Sequence, residues 1–338
     1  MIGIGIIGYG YWGPNLVRNF SEAAGAAVRG VCDLQPSRLQ RAAARHPGLT
    51  TTRQAQELID DPNIDAVAIA TPVSTHFDLA MRALRAGKHV LVEKPLTSTS
   101  DEAKQLLDEA AARGLVLMVD HTFVYTGAVR TIKDIVAKGD LGEVYYYDSV
   151  RVNLGLFQHD VSVVWDLAVH DLSILDYVLP NRPASVSATG MNHVAGEPEN
   201  IAYLTLFFPD SLIAHFHVNW LAPVKVRRTL IGGARKMIVY DDIEPSEKIK
   251  VYDRGISVTD AGVEGVYKML VSYRTGDMWA PRLDATEALS LEAAHFVACI
   301  EGTEQPLTDG HAGLRVVRIL EAATASMRQQ GRPVPLDS

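Results

Sequence analysis

Two polar side chains four residues apart, Asp166 and His170, stand in the stretch Trp165-Asp166-Leu167-Ala168-Val169-His170-Asp171, with Ala168, Leu172, Leu175 and Leu179 making an apolar stripe beside them. On a helix that spacing puts Asp166 and His170 one turn apart on one face. Oxidising a secondary alcohol needs a base for the hydroxyl proton as hydride leaves carbon. Histidine suits the task at neutral pH, with Asp166 to orient the imidazole or hold a neighbouring hydroxyl. The plainer reading is a charged helix surface. Lys94, in Glu93-Lys94-Pro95, follows an apolar strand at the end where open α/β sheets place ligands. There it can donate to a hydroxyl or carbonyl oxygen and stabilise developing alkoxide charge, or it is a solvated strand-end charge.

A second constellation binds rather than reacts. Gly8, Gly10 and Gly13, with Tyr9, Tyr11 and Trp12 between them, directly follow the apolar run Ile2 to Ile7 and precede the helical stretch Asn15 to Phe20. In that context the first glycine allows a tight turn, the second admits a pyrophosphate to the backbone, and the third lets helix pack on strand. Asp33 stands 20 residues beyond Gly13, at the end of the next strand, where a carboxylate accepts from the adenosine ribose hydroxyls and repels a 2'-phosphate. The expected cofactor is therefore NAD rather than NADP. Arg38 is the residue that could reach a 2'-phosphate if the turn after Asp33 folds back, or it is a solvated helix residue.

Weaker candidates surround these. His121, Arg151, Asn153 and Trp165 could contact a polyhydroxylated substrate, the tryptophan by stacking on a sugar face, although each alone also reads as structural. His215 and His217 alternate on one strand and suggest a metal, but no third ligand is apparent, so a paired sheet face is the expectation and no metal is assigned. Tyr145 to Tyr147 read as sheet packing.

Composition narrows the classes. The 338 residues carry a formal net charge of -8 with no basic block, which disfavours nucleic acid as a partner. Cys32 and Cys299 are the two cysteines, each inside an apolar run, which excludes a disulfide framework and suits a reducing cytoplasm. The apolar N-terminus lacks a basic leader and meets glycine and proline by Pro14, so neither a signal peptide nor a membrane span is expected.

The elements that must position these residues follow from periodicity. From Ile2 to Val119, β-branched runs alternate with helical stretches: strands over Ile2 to Ile7, Val28 to Cys32, Leu49 to Thr51, Ala66 to Ala70, His89 to Val92 and Val116 to Val119, and a clear helix from Ser100 to Arg113 stopped by Gly114. This predicts an α/β chain whose N-terminal Rossmann domain, residues 1–120, is a doubly wound parallel sheet. Residues 121–338 predict a C-terminal α+β domain with a large, mostly antiparallel sheet for substrate binding and oligomerisation. Its strands run Glu143 to Asn153, Ala184 to Thr189, Ile201 to Phe208, Ile213 to Trp220 and Val226 to Ile231. Two helical patterns, Thr286 to Ile300 and Ala312 to Gln330, close the chain, and the last is placed to pack back on the first domain.

Together these residues resemble the Gfo/Idh/MocA family of sugar and polyol oxidoreductases nearly end to end. The resemblance rests on the glycine turn, Ala70-Thr71-Pro72 with His76, Glu93-Lys94-Pro95, the Asp166 and His170 helix, and the closing helices with Pro306-Leu307 between them. It implies that Lys94 meets the reacting oxygen, His170 transfers the proton and Asp166 positions the substrate. It also implies that Thr71, Pro72, His76 and Glu93 belong to the cofactor site, and that the second sheet makes a homodimer or homotetramer face. Tyr9 to Phe20, Asp120 to Phe123, Val169 to Leu175 and Trp220 to Lys225 look most like the subset that oxidises sugar C3 hydroxyls in amino-sugar pathways. Ala168-Val169 departs from the glycine or proline common before the helix histidine. The expected substrate is a nucleotide-linked or glycosidic sugar, with Lys225 or Arg227 available to a nucleotide diphosphate. The alternatives are an inositol or polyol dehydrogenase, a 3-ketosugar reductase, and a non-enzymatic NAD(H) sensor, which would need the turn and Asp33 but not Lys94 with His170.

Overall fold

The computed structural model describes residues 1–155, 161–253, 255–258, 271–274 and 276–336. They form two compact units, Met1–Thr126 with Ala285–Glu321, and Gly127–Asp284 with Ala322–Ser338.

The first unit alternates strands β1 (Ile2–Ile7), β2 (Ala26–Cys32), β3 (Thr50–Thr52), β4 (Ala66–Ile69), β5 (His89–Glu93) and β6 (Leu117–Asp120) with helices α1 (Gly13–Glu22), α2 (Pro36–Arg45), α3 (Ala55–Ile59), α4 (His76–Arg85) and α5 (Ser100–Arg113). All strand pairs are parallel, in the order β3-β2-β1-β4-β5-β6. The expected doubly wound sheet is present. β4 is buried along its whole length, as a strand covered on both faces must be. The order reverses direction between β1 and β4, which makes the carboxyl ends of those strands the switch point. Helix α5 starts on a reciprocal capping box, with Thr99 Oγ1 accepting from the Glu102 amide at 3.2 Å and the Glu102 carboxylate accepting from the Thr99 amide at 3.1 Å. It ends at Gly114, whose φ of 64° is left-handed.

The second unit contains α6 (Gly127–Ala137), α7 (Val169–Val178) and strands β7 (Val144–Leu154), β8 (Ser185–Met191), β9 (Ile201–Phe207), β10 (Ile213–Asn219), β11 (Leu221–Gly233), β12 (Met237–Asp241), β13 (Ile249–Tyr252), β14 (Gly255–Val258), β15 (Val271–Arg274), β16 (Met278–Trp279) and β17 (Val334–Pro335). Among the described residues the large sheet has the order β16-β13-β12-β11-β7-β10-β9-β8-β17, and β14 pairs with β15 apart from it. The pairing is antiparallel except for β7 with β10. Buried Ala202, Leu204 and Leu206 alternate along β9 with half-buried and exposed residues, so one face is core and the other carries exposed Tyr203 and Phe207.

Several of these elements escape periodicity. α6 buries Val129, Ile132 and Ile135 on one narrow stripe, and β12, β13, β16 and β17 are short or lie toward the sheet edges, where no long alternation develops. β11 starts at Leu221, earlier than the expected Val226, and its pairing with β7 breaks register between those two residues. After Asp284 the chain adds α8 (Ala288–Ile300) and α9 (Gly310–Arg328). In the first unit Phe20 of α1 meets Phe296 of α8 edge to face at 6.0 Å, and Arg18 binds both oxygens of Glu287 at 2.8 and 2.5 Å.

Candidate active site

Each glycine of the first turn has its own steric reason. Gly8 has φ 102°, and a Cβ there would stand 2.3 Å from the Ala70 carbonyl oxygen. One on Gly13 would stand 2.1 Å from the Gly8 carbonyl oxygen. At Gly10 a Cβ would meet nothing nearer than Arg38 Nη1, at 3.6 Å. The outer two glycines are thus required by the chain's own close approaches, whereas Gly10 keeps an open side bare, as a backbone that receives a pyrophosphate must.

Asp33 follows β2 and is 6% exposed. Its carboxylate accepts from the backbone amides of Tyr9 and Gln35, both at 2.8 Å, and from Arg38 Nη1 at 3.2 Å. Arg38 therefore reaches back to Asp33 while its side chain stays 36% exposed. Both border a cavity of about 560 Å³ that Leu34, Arg53, Thr71 and Pro72 also line. The residues present fit a dinucleotide: a bare turn for the pyrophosphate and a carboxylate beside an open cavity for the ribose. Tyr11 is 92% exposed, while Trp12 sends its indole N–H to Asp120 Oδ2 at 2.5 Å.

Lys94 follows β5 and is half-buried, with its cis peptide bond to Pro95 at the same strand end, and Glu93 pairs in register with Asp120 of β6. His76, expected at the cofactor, is 1% exposed and its ring is held by backbone: Nδ1 lies 2.8 Å from the Pro95 carbonyl and Nε2 2.8 Å from the Thr71 carbonyl. It ties together the two loops that carry Thr71 and Lys94. Burial, joined by the Lys94 charge, lowers its pKa against the opposing effect of the carbonyls. His121 is 2% exposed.

In the second unit, Asp166 lies in a π-helical turn, Val164–Ala168, that runs straight into α7 with His170 in its first turn. The expected regular helix is thus locally widened, a feature that changes side-chain direction and concentrates at functional sites. Ala168, Leu172, Leu175 and Leu179 are all buried, as the apolar stripe required, while Asp166 and His170 remain half-buried. Asp166 Oδ2 accepts the indole N–H of Trp220, which is 1% exposed, at 3.1 Å.

Arg151, expected at the substrate, is 3% exposed and grips Asp171 with two bonds, Nε to Oδ2 at 2.7 Å and Nη2 to Oδ1 at 3.0 Å. β7 points it inward because Tyr147 and Ser149 share its buried parity. Asn153 stays half-buried near the end of β7, and Lys225 is exposed where β11 departs from β7 register. Trp165 donates to Thr324 Oγ1 at 3.0 Å. Arg227 pairs with Asp242 at 3.1 Å. His217 stacks on Tyr203 at 4.5 Å, and His215 Nδ1 lies 3.4 Å from Asp148 Oδ1.

Sequence reasoning missed Trp220, Asp171 and the interior role of His76. Asp171 was visible only as the neighbour of His170, and Trp220 only as the end of a strand and the start of the stretch to Lys225, since their partners lie 20 and 54 residues away in the chain.

Two family models match the chain. One, described as "Oxidoreductase family, NAD-binding Rossmann fold", covers residues 2–121, and a second, "GFO/IDH/MocA C-terminal domain", covers residues 129–239. An uncharacterised oxidoreductase of Escherichia coli, YdgJ, is 31% identical over 262 residues, 73% of each chain. UDP-N-acetylglucosamine 3-dehydrogenase of Acidithiobacillus ferrooxidans is 28% identical over 93% of both chains, and a solved structure of that enzyme superposes with a TM-score of 0.81, 24% identity, and coverage of 97% of this chain and 98% of its own. The NAD(+)-dependent scyllo-inositol 2-dehydrogenase of Bacillus subtilis is 26% identical over 100% of this chain and 95% of its own.

Proposed function

The chain belongs to the Gfo/Idh/MocA oxidoreductase family, and from that premise we propose that it is an NAD-dependent dehydrogenase oxidising a secondary ring hydroxyl, at C3, of a nucleotide-linked or glycosidic sugar. The observation that carries the reading is the turn bearing Asp166 and His170, widened at Asp166 and held there by the buried indole of Trp220. A sensor of NAD(H) would have no use for a carboxylate oriented by a buried indole in the turn that leads into a histidine. The C3 position is supported by the relative that oxidises UDP-N-acetylglucosamine at that carbon and matches nearly end to end.

Bound NAD supplies the hydride acceptor. His170 takes the hydroxyl proton as the carbon–hydrogen bond breaks. Lys94 serves to stabilise developing alkoxide charge. Asp166, its direction set by Trp220, holds a neighbouring hydroxyl or the imidazole. Gly8, Gly10 and Gly13 with Tyr11 and Trp12 take the pyrophosphate end, Asp33 the ribose, and Thr71, Pro72 and Glu93 the rest of the cofactor site. Asp33 also argues for NAD over NADP, although Arg38 stands beside it. Exposed Lys225 serves the nucleotide diphosphate. The outer face of the large sheet, with exposed Tyr145, Tyr203, Phe207 and Ile213, serves self-association into a dimer or tetramer. Two buried free thiols, Cys32 and Cys299, fit a reducing cytoplasm, and among the described residues no helix is long and apolar enough to cross a membrane.

The test is NADH absorbance during incubation with NAD and UDP- or TDP-sugars, free sugars and inositols. Turnover of nucleotide sugars, with Lys225→Ala raising their KM, supports the proposal. Turnover of inositols alone moves the substrate to the polyols, the second reading that the inositol dehydrogenase relative favours. No turnover of any sugar or polyol in either direction overturns both.

A further inference from the structure

Glu292 is a fully buried carboxyl, 0% exposed, in the first half of α8, and among the described residues neither of its oxygens has a well-formed hydrogen bond, although the nearby Thr122 hydroxyl favours its charged form. A buried ionised carboxylate without donors is among the costliest arrangements a protein interior can hold. Its surroundings make ionisation worse. The titratable and charged groups facing it are Asp120 at the end of β6, Glu93 at the end of β5, and Tyr125 in the turn after β6. On α8 itself, His295 lies edge-on to Tyr125 at 5.6 Å and binds the Gln305 carbonyl, and Cys299 is buried. The cation that α1 brings to this helix, Arg18, is engaged with Glu287 at its start. Burial first, then the Asp120 charge, the approach of the two carboxyls and the Glu93 charge, push the Glu292 pKa well up, against the smaller opposing effect of the Thr122 hydroxyl.

Two carboxyls that meet in a dry site share one proton. Asp120 already accepts twice, from Trp12 Nε1 at 2.5 Å and from the single hydroxyl proton of Thr122, so its oxygens are acceptors and the shared proton sits on Glu292. A chain of bonds then runs from α8 through Asp120 to Trp12, the residue between Gly10 and Gly13 that caps α1.

We propose that Glu292 is a positioning residue for the dinucleotide site: it donates its carboxyl proton to Asp120, and Asp120 so held fixes the Trp12 indole and the second half of the glycine turn. The proposal rests on the cofactor reading of that turn. A charge-assisted O–H to carboxylate bond is short and strong, so the chain is firm while the proton stays. When rising pH removes it, two negative charges face each other, Asp120 swings from Trp12, and the turn loses its anchor. The same linkage makes fold stability fall as pH climbs from the ordinary glutamate range toward the raised value in the native state.

The experiment measures the dissociation constant of NADH, by its own fluorescence, for the full chain and for Glu292→Gln and Glu292→Leu from about pH 6 to about pH 9.5. The wild type should weaken by about fivefold or more toward the alkaline end. Glu292→Gln keeps an N–H donor toward Asp120 and cannot ionise, so it should bind like wild type near neutrality and lose the alkaline step. Glu292→Leu, with no donor, should bind about fivefold or more weakly across the range, with thermal melts reporting whether it is folded. If the leucine variant does not fold, the glutamine variant decides alone. An alkaline step unchanged in Glu292→Gln, or wild-type affinity in a folded Glu292→Leu, overturns the proposal. Wild type that binds no NADH at any pH overturns the cofactor reading itself, and the proposal with it.

Discussion

Trp220 donates its indole N–H to Asp166 across 3.1 Å, joining the residue that follows β10 to the widened turn that precedes His170. Trp220→Phe keeps a ring in the buried slot and removes only the donor. A hydrogen bond to a charged group contributes roughly 1.5–3 kcal/mol, so kcat/KM should fall by about tenfold or more. The NADH dissociation constant should stay unchanged. Steady-state kinetics beside an NADH titration check this, and equal losses in both would show that the ring serves the fold rather than Asp166.

Lys94→Ala and His170→Ala should each lower turnover at least about a hundredfold, the scale of a lost acid/base or oxyanion-stabilising group. NADH binding should survive in both. Full activity in either variant would remove that residue from the mechanism.

Asp33→Ala should weaken NAD and narrow its margin over NADP, because the carboxylate that accepts from the ribose and repels a 2'-phosphate is gone, while Arg38, released from its 3.2 Å ion pair, is left to attract one. Paired dissociation constants for NADH and NADPH read this directly. An unchanged ratio would mean that Asp33 does not discriminate.

Arg151 and Asp171 form a buried, two-bond ion pair. Asp171→Ala leaves a buried guanidinium and should cost about 3–5 kcal/mol, whereas Arg151→Met with Asp171→Leu should recover most of that, since a packed apolar pair replaces the ions without stranding a charge. Urea unfolding of the two variants separates the cases.

His76 carries an acid-side dependence. Its pKa in the native state is lowered by burial and by Lys94, so the unfolded chain takes the proton first as pH falls below about 6.5, and stability falls with it until the native ring also protonates. His76→Gln should flatten that part of the stability profile, as measured by thermal melting between about pH 7 and about pH 5. A profile unchanged by the substitution would assign the acid sensitivity to other groups.

Local chemistry along the chain determined a great deal. Ile2 to Ile7 followed by glycines at 8, 10 and 13 specifies strand, tight turn and helix because each step depends on nearest neighbours, and Asp33 needs only to end the next strand. The helix from Ser100 to Arg113 was legible to the residue, for its cap and stop are local as well. The alternation in β9 and β10 disclosed a one-sided sheet, but not β7 running parallel to β10, nor the shorter strands beyond β11, which hold their places through partners rather than pattern. Side-chain direction was decided by the tertiary structure. The partners of Arg151 and His76 are hidden in one dimension: Asp171 holds the first and the carbonyls of Thr71 and Pro95 the second, because a buried polar group goes wherever its hydrogen bonds can be completed. Trp220 on Asp166, and Asp120 between Trp12 and Glu292, came from the fold alone. Residues 54, 108 and 172 positions apart can be recognised as partners only after the chain has brought them together.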